Sequence, residues 1–278
     1  MSVATALHPT IPQVPRTEQQ PVPVKDAATV LLLRDEPGAD GTPALEVFMV
    51  RRQDRSGFVG GHHVFPGGVV DPADQADGWA DLCTGDADRF VVSAARELLE
   101  ESGVLLVNDK SGQRPAVTTE ELATLARQVH SGERLLADIC REHDWQLDTA
   151  ALRLWSNWIT PEGQPRRYDT RFYVAVAPDD QEAVHDEVEL TEGRWAQPGE
   201  FLQMHRDGEV LMILPTVATL RSIEAHGSTD AVLEAATTRQ PVEPVEPQMR
   251  READGSMTIS IGGEDVWTEP PVRVARRG

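Results

Sequence analysis

The chain has 278 residues, of which 40% are hydrophobic and 26% are charged, a composition typical of a packed globular protein. Its 26 Lys and Arg residues stand against 46 Asp and Glu residues, and the formal charge of −20 argues against nonspecific binding to nucleic acid. An anionic substrate would therefore need local positive charge, or metal ions held by acidic groups, in order to bind.

The cysteine content and the apolar runs indicate a cytoplasmic protein without a membrane partner. Cys83 and Cys140 lie neither in a CxxC pair nor at zinc-ligand spacing, so we interpret them as reduced structural thiols. The longest apolar runs fall far short of the roughly 20 residues that a membrane-spanning helix needs. Residues 1–25 are rich in proline and polar residues, lack the pattern of a secretion signal and are expected to form a flexible tail.

In chain order, the first predicted elements are two strands and a helix. Residues 27–33 and 45–50 are aliphatic runs separated by turn-forming residues, which predicts strands. Residues 51–68 are rich in glycine, and the polar segment 71–88 offers little to bury, so both are predicted to be loops. From residue 87 to 102, apolar residues recur at helical spacing before Gly103, which predicts a helix with a glycine cap.

The second half of the chain alternates helical and strand patterns. A short strand is predicted at 104–107, and two segments with the apolar rhythm of amphipathic helices predict a helical insert at about 108–150. Further strands are predicted at 152–159, 170–176 and 188–195. Further helices are predicted at 198–205, 216–226 and 230–238. Residues 241–278 form a C-terminal arm, in which the segment around Gly262 and Gly263 has the character of a hairpin.

An acidic ridge lies on the predicted helix. The segment RELLEESGV places Glu97, Glu100 and Glu101 at positions i, i+3 and i+4, on one helix face, where like charges repel one another. Divalent cations would reverse that repulsion, and magnesium prefers carboxylate oxygens and often accompanies phosphate chains. The alternative is an exposed acidic face, with Arg96 and Glu100 as an ordinary i,i+4 ion pair.

A glycine turn, Pro66-Gly67-Gly68, stands just upstream and lets the backbone approach a ligand closely, because glycine has no Cβ. Together the turn and the ridge resemble the Nudix box, GX5EX7REUXEEXGU, where U is a bulky aliphatic residue. Residues 96–104 match its second half at every fixed position. Gly68 and Asp74 resemble the GX5E half, with aspartate replacing glutamate and 21 residues instead of seven before Arg96. Because loop closure costs rise only logarithmically with length, both halves can still meet.

The resemblance implies an α/β fold, the Nudix-type α/β/α sandwich, with a mixed sheet, a helical insert and additional C-terminal helices, in a domain spanning residues 26–240. It also implies a pyrophosphohydrolase that cleaves a phosphoanhydride in a nucleoside diphosphate-linked substrate, with Mg²⁺ or Mn²⁺ as cofactor. The alternative hypothesis is a noncatalytic Nudix-like nucleotide sensor or interaction scaffold. Intact glutamates in the second half of the box argue against that alternative.

The same match implies roles for individual residues. Glu97, Glu100, Glu101 and the carbonyl of Gly67 would bind metal, and Arg96 would orient the glutamates by salt bridging. Glu101 is the first candidate for a ligand that also helps to activate water. Two residues before the late strand are candidates for an additional metal ligand, with a solvated acidic loop as the alternative: Glu187 and Glu189.

Candidate substrate-binding residues follow from their chemistry. Guanidinium groups donate paired hydrogen bonds to phosphate, so four arginines are candidate clamps, with surface ion pairing as the alternative: Arg51, Arg52, Arg166 and Arg167. Tyr168 adjoins two charged residues in a predicted loop, where its ring could stack on an adenine or nicotinamide ring.

Two segments point to a substrate class. The stretch EVFMVRRQDRSGFVGGHHVFPGG resembles the pattern upstream of the box in coenzyme A diphosphatases, although Ser56 stands where an arginine is expected. The split box and WITPEGQPRRYDTRFYVA are similar to the peroxisomal-type branch of those enzymes. The implied substrate is coenzyme A, one of its derivatives, or a dinucleotide. Nudix relatives often pair, so a homodimer is a further expectation, with the arm either exchanged between subunits or folded back as a lid.

Overall fold

The computed structural model describes residues 22–37, 43–53, 60–184, 190–254 and 256–269. Their strands are β1 (Val24–Pro37), β2 (Pro43–Arg52), β3 (His63–Val64), β4 (Gly67–Val69), β5 (Val107–Asp109), β6 (Trp145–Leu147), β7 (Arg153–Ile159), β8 (Arg167–Val176), β9 (Leu190–Ala196), β10 (Pro244–Val245), β11 (Gln248–Arg251), β12 (Met257–Ile261) and β13 (Glu264–Glu269). Their α-helices are α1 (Arg89–Ser102), α2 (Thr119–His130), α3 (Leu136–His143), α4 (Pro198–Arg206), α5 (Leu214–Glu224) and α6 (Thr229–Thr238).

A mixed sheet forms the centre of the fold, in the order β10-β7-β8-β1-β2-β3, with β4 added beside β1 and β9 beside β2. Strand β1 pairs in parallel with β8 and antiparallel with β2 and β4. Because side chains alternate along a strand, Val30 and Leu32 enter one core cluster while Leu31 and Leu33 enter the other. Both faces are covered, which explains why residues 27–33 in the middle of β1 are all buried and almost all apolar.

Helices cover both faces of this sheet. On one face, Phe90 of α1 and Leu122 of α2 pack in the same cluster as Val30. On the other face, Phe201 of α4 and Val232 of α6 join the second cluster. This arrangement confirms the predicted α/β/α sandwich with a mixed sheet. Helices α2 and α3 lie in the segment predicted as a helical insert, and α4, α5 and α6 are the additional C-terminal helices.

The helix that carries the glutamates is capped at both ends by its own sequence. Asp88 is the N-cap and accepts a hydrogen bond from the backbone N–H of Phe90, so α1 begins two residues later than predicted. Gly103 adopts the left-handed conformation, with φ of 68°, and its N–H donates to the carbonyl of Leu99. The predicted glycine cap is confirmed, and the helix stops directly after its three glutamates.

Three local predictions for residues 51–107 are wrong. The strand predicted at 104–107 begins only at Val107, because the backbone of Leu105 hydrogen-bonds to the side chain of Gln181 and not to a strand. The glycine-rich segment contains the short strands β3 and β4. The polar segment 71–88 buries Trp79, whose indole N–H donates to the carbonyl of Ala73, so it does contribute to the core.

The described part of the C-terminal arm packs against the body of the chain. Strand β10 pairs in parallel with β7, and β11, β12 and β13 form a separate antiparallel sheet. The hairpin predicted around Gly262 and Gly263 is confirmed as the turn between β12 and β13. Ile259 of β12 belongs to the core cluster on the α4–α6 face.

Among the described residues, no helix combines the length and the apolar character needed to cross a lipid bilayer.

Candidate active site

A cavity of about 900 Å³ lies beside the glycine turn, in the size range of small-molecule sites. Its walls include Gly67 and Gly68 of β4 and the three glutamates of α1. The β7–β8 loop, the segment before α5 and the C-terminal arm complete the walls. The two halves of the split motif therefore meet at one cavity, which the small entropic cost of closing a longer loop allows.

Glu97 and Glu101 are buried and the side chain of Glu100 is only 10% exposed, so the alternative of an exposed acidic face is wrong. Glu97 is 9% exposed and Glu101 is 4% exposed. Arg96 donates from Nη1 to Glu100 at 2.9 Å and lies 2.8 Å from a carboxylate oxygen of Glu97. The i,i+4 pair of Arg96 and Glu100 does form, but inside the protein, where it fixes the orientation of both glutamates.

The glycine turn is pressed onto these carboxylates. The backbone N–H of Gly67 donates to Oε2 of Glu101 at 2.8 Å. A Cβ on Gly68 would lie 2.4 Å from Oε1 of Glu97, and a Cβ on Gly67 would lie 2.5 Å from the carbonyl oxygen of Ala28. Thr29 anchors the turn by donating its hydroxyl to the carbonyl of Pro66 at 2.7 Å. A side chain would clash with the strand β1 at position 67 and with Glu97 at position 68, so both positions require glycine.

Asp74, which stands where the first half of the motif has glutamate, holds Arg96. Its two carboxylate oxygens each accept a hydrogen bond from the guanidinium, from Nε and from Nη2, at 2.9 Å. Asp74 is 2% exposed and also accepts from the backbone N–H of Asp71. Burial lowers the pKa of Arg96, but the hydrogen bond to Asp74 and the charges of Glu97 and Glu100 outweigh it and raise that pKa. The guanidinium is thus a permanent cation.

Glu97 has an unusual titration. Burial, and to a smaller extent the neighbouring charge of Glu100, raise its pKa above the usual value for a glutamate, against the opposing charge of Arg96. An additional cation beside this carboxylate would favour its ionised form.

This donor set fits a divalent cation chemically. Three buried carboxylates and a nearby backbone carbonyl are hard oxygen ligands of the type that Mg²⁺ prefers. In the arrangement described, however, the carboxylates turn toward Arg96 and the Gly67 N–H, and within the described ranges no group of three or more His, Cys, Asp or Glu side chains converges on one metal position. Glu187 and Glu189, predicted as additional ligands, lie outside the described residues.

The predicted phosphate clamps separate into two groups. Arg52, Arg166 and Tyr168 line the cavity, and Nη1 of Arg52 lies 3.9 Å from Oε1 of Glu101. Tyr168 belongs to β8, so its predicted loop placement is wrong. Arg51 and Arg167 are not among the lining residues. Arg51 donates to the hydroxyl of Thr191 at 3.1 Å.

Sequence reasoning missed His130, which α2 brings to the cavity wall. Its Nδ1 lies 3.4 Å from Oε2 of Glu100, and its side chain is 26% exposed. It is a single histidine at the end of an amphipathic helix, 30 residues from Glu100 in the chain, so no local pattern singled it out. Met249 and Ile259 of the arm were missed for the same reason, since their cavity position depends on long-range pairing.

Comparisons with known proteins agree with this geometry. Residues 85–223 match the family model described as the NUDT19 Nudix domain. An acyl-coenzyme A diphosphatase NUDT19 from Gallus gallus is 27% identical over 305 residues, covering 89% of this chain and 80% of that protein. The protein of the same description from Homo sapiens is 26% identical over 234 residues, covering 67% of this chain and 62% of its own length. A crystal structure of a Nudix hydrolase from Alicyclobacillus acidocaldarius superimposes with a TM-score of 0.64 at 27% identity, covering 77% of this chain and 96% of that one.

Proposed function

Because this chain belongs to the Nudix hydrolases, in the NUDT19 Nudix domain family, and so acts on pyrophosphate bonds, we propose that it hydrolyses the diphosphate of coenzyme A and its acyl thioesters. Water would attack one phosphorus atom and break one P–O bond of the anhydride. The products would be adenosine bisphosphate and phosphopantetheine, or its acylated form. The NUDT19 relatives, which are described as acyl-coenzyme A diphosphatases, support this choice over a dinucleotide.

One observation carries the proposal: the buried carboxylates of α1 and the glycine turn line the same cavity. Ionised carboxylates on the wall of the cavity would repel a diphosphate, because both carry negative charge. Nudix enzymes generally use divalent metal ions, and such ions remove the repulsion. The arrangement therefore suits a diphosphate that arrives together with metal.

We assign the metal ligands to Glu97, Glu100, Glu101 and the carbonyl of Gly67. When bound there, Mg²⁺ or Mn²⁺ would neutralise charge that develops on the phosphate oxygens and make water acidic enough to attack at neutral pH. Glu187 and Glu189 are proposed as a further source of carboxylate.

The protein groups around the ligands position them. Arg96, fixed by Asp74, holds Glu97 and Glu100 side by side and prevents their rotation toward solvent. Glu101, oriented by the Gly67 N–H, is the carboxylate we assign to accept a proton from the attacking water.

The arginines on the cavity wall suit the substrate. Arg52 and Arg166 can donate charge-assisted hydrogen bonds to phosphate oxygens, and such bonds are about twice as strong as neutral ones. Tyr168 offers an aromatic face beside them. The two arginines supply local positive charge at the cavity, in a protein whose net charge is −20.

The test is the substitution Glu101→Gln, assayed with Mg²⁺ by chromatography of the products from coenzyme A. A positioned proton acceptor contributes about 10² to 10⁴-fold, so kcat should fall by at least about 10²-fold with no change in the melting temperature. Glu120→Gln, an exposed residue of α2 outside the cavity lining, is the matched control and should retain wild-type activity. Full activity of Glu101→Gln would overturn the assigned role. Hydrolysis of ADP-ribose, NADH or diadenosine polyphosphates without hydrolysis of coenzyme A would overturn the substrate.

A further inference from the structure

We propose that the C-terminal arm forms the subsite for the acyl chain of an acyl-coenzyme A, with Met249 and Ile259 as the residues that contact the chain. This inference rests on the proposed function and adds to it a named binding surface. It concerns a part of the molecule that lies outside the split motif and outside residues 85–223, which match the family model.

The arm supplies an apolar wall to the same cavity that the glutamates line. Pro247, Met249 and Ile259 line the cavity from the arm, and Trp158, Phe172 and Leu214 are apolar lining residues of the main body. A wall of this composition cannot recognise phosphate or ribose, which need polar partners. Its chemistry suits an aliphatic chain.

The acidic wall and the apolar wall of the cavity come from opposite faces of the central sheet. The glutamates belong to α1, whose apolar residues pack in the core cluster on one face of the sheet. Ile259 belongs to the cluster on the other face, together with residues of α4, α5 and α6. Because the glutamates and the arm line one cavity, a substrate whose diphosphate lies at the glutamates can extend toward the arm. In an acyl-coenzyme A, the acyl chain is the apolar end of the molecule beyond the diphosphate and pantetheine.

The arm is anchored beside the cavity by contacts at several points. Strand β10 pairs with β7 next to Trp158, and Gln164 of the β7–β8 loop donates to the sulfur of Met249 at 2.8 Å. Arg167 donates to Glu246 at 2.6 Å and to the carbonyl of Thr160 at 2.9 Å.

The ring of Trp267 on β13 stacks on His205 of α4, with centroids 5.6 Å apart. This contact adds an anchor at the far strand of the arm sheet. Arg167, predicted from the sequence as a phosphate clamp, instead binds Glu246 of the arm and so helps to hold the arm beside the cavity. A wall held at both ends can present a fixed apolar surface to a ligand.

The experiment measures kcat/KM of the full-length protein for free, acetyl-, hexanoyl- and dodecanoyl-coenzyme A. Burial of each methylene contributes up to about fourfold in affinity, so the four methylenes that hexanoyl adds to acetyl could raise kcat/KM by at most about 250-fold. We expect wild-type kcat/KM to rise about tenfold or more from acetyl to hexanoyl, which corresponds to burial of about two of the four. Met249→Gln and Ile259→Thr should each lower the ratio of hexanoyl to free coenzyme A by about fivefold or more. Free coenzyme A is the reference substrate within each variant, so a general loss of folding or chemistry cancels in this ratio.

Two residues of the same arm sheet provide matched controls. Met257 and Ile261 lie on β12 and are half-buried, but neither lines the cavity. Met257→Gln and Ile261→Thr should leave the ratio at its wild-type value. A ratio that is unchanged in Met249→Gln and Ile259→Thr, or a wild-type enzyme indifferent to chain length, would overturn the acyl subsite alone. Lack of hydrolysis with every coenzyme A species would overturn the proposed function, and the subsite with it.

Discussion

Replacing Gly68 with alanine tests the geometry of the site with the smallest possible change. An ideal Cβ at this position lies 2.4 Å from Oε1, 2.6 Å from Cδ and 2.7 Å from Oε2 of Glu97. The carboxylate is 9% exposed and is held by Arg96 at 2.8 Å, so it cannot swing freely into solvent. The added methyl group must therefore displace the carboxylate from its place in the site.

The size of the displacement follows from these contacts. Ordinary van der Waals contact of a Cβ begins at 3.4 Å, so the 2.4 Å contact requires a shift of about 1 Å in the Glu97 carboxylate. A misplacement of about 1 Å at a catalytic group can lower the rate by about 10²-fold. This loss corresponds to about 2.7 kcal/mol in the activation free energy.

The assay is kcat/KM for coenzyme A at saturating Mg²⁺, together with the free energy of unfolding in urea. Gly68→Ala should lower kcat/KM by about 10²-fold and lower the unfolding free energy by about 1–3 kcal/mol, the usual cost of overpacking, so that the variant remains folded in the assay. Gly199→Ala is the matched control, because its Cβ would meet only the exposed side-chain end of Glu224, at 2.7 Å. Wild-type kcat/KM in Gly68→Ala would refute the argument that Glu97 must occupy this position for activity.

Two further predictions concern buried groups. Asp74→Ala removes one partner of a buried ion pair with Arg96 and should lower the free energy of unfolding in urea by about 3–5 kcal/mol, with a smaller loss in Asp74→Asn. A loss below about 1 kcal/mol in Asp74→Ala would contradict the assigned pairing. Burial raises the pKa of Cys83 to about 11 and that of Cys140 to about 12, so both thiols should stay protonated at neutral pH and react with a thiol reagent only after unfolding. Rapid labelling of the native protein would show that the thiols are accessible.

Local sequence patterns were sufficient to recognise the family and to predict the helix at the centre of the site. The spacing of apolar residues from Phe90 to Leu99 predicts α1, and the fixed positions of RELLEESGV place three glutamates on one turn before the cap at Gly103. The apolar run of β1 is likewise local. Periodicity and caps depend on residues only a few positions apart, so they can be read without the fold.

The outcome for the acidic ridge depended on tertiary structure. The same spacing of Glu97, Glu100 and Glu101 is compatible with an exposed face or with a buried site, and only the packing of the glycine turn against α1 distinguishes them. Charge alone favoured exposure, because unpaired carboxylates are costly to bury. The ion pairs of Arg96 with Glu97 and Glu100 offset the cost of burying these carboxylates, and two hydrogen bonds to Asp74 hold Arg96 in position.

The sequence by itself determined the helix with its glutamates, because periodicity and caps are short-range patterns, and the resemblance of its motif to the Nudix box implied the family and the layered α/β/α fold. The tertiary structure decided which residues share the cavity: Asp74 reaches Arg96 across a 21-residue interval, Arg167 fastens the arm, and Met249 and Ile259 line the wall. These contacts join residues far apart in the chain through strand pairing and packing. No pattern within a few residues encodes which distant partner a side chain will meet.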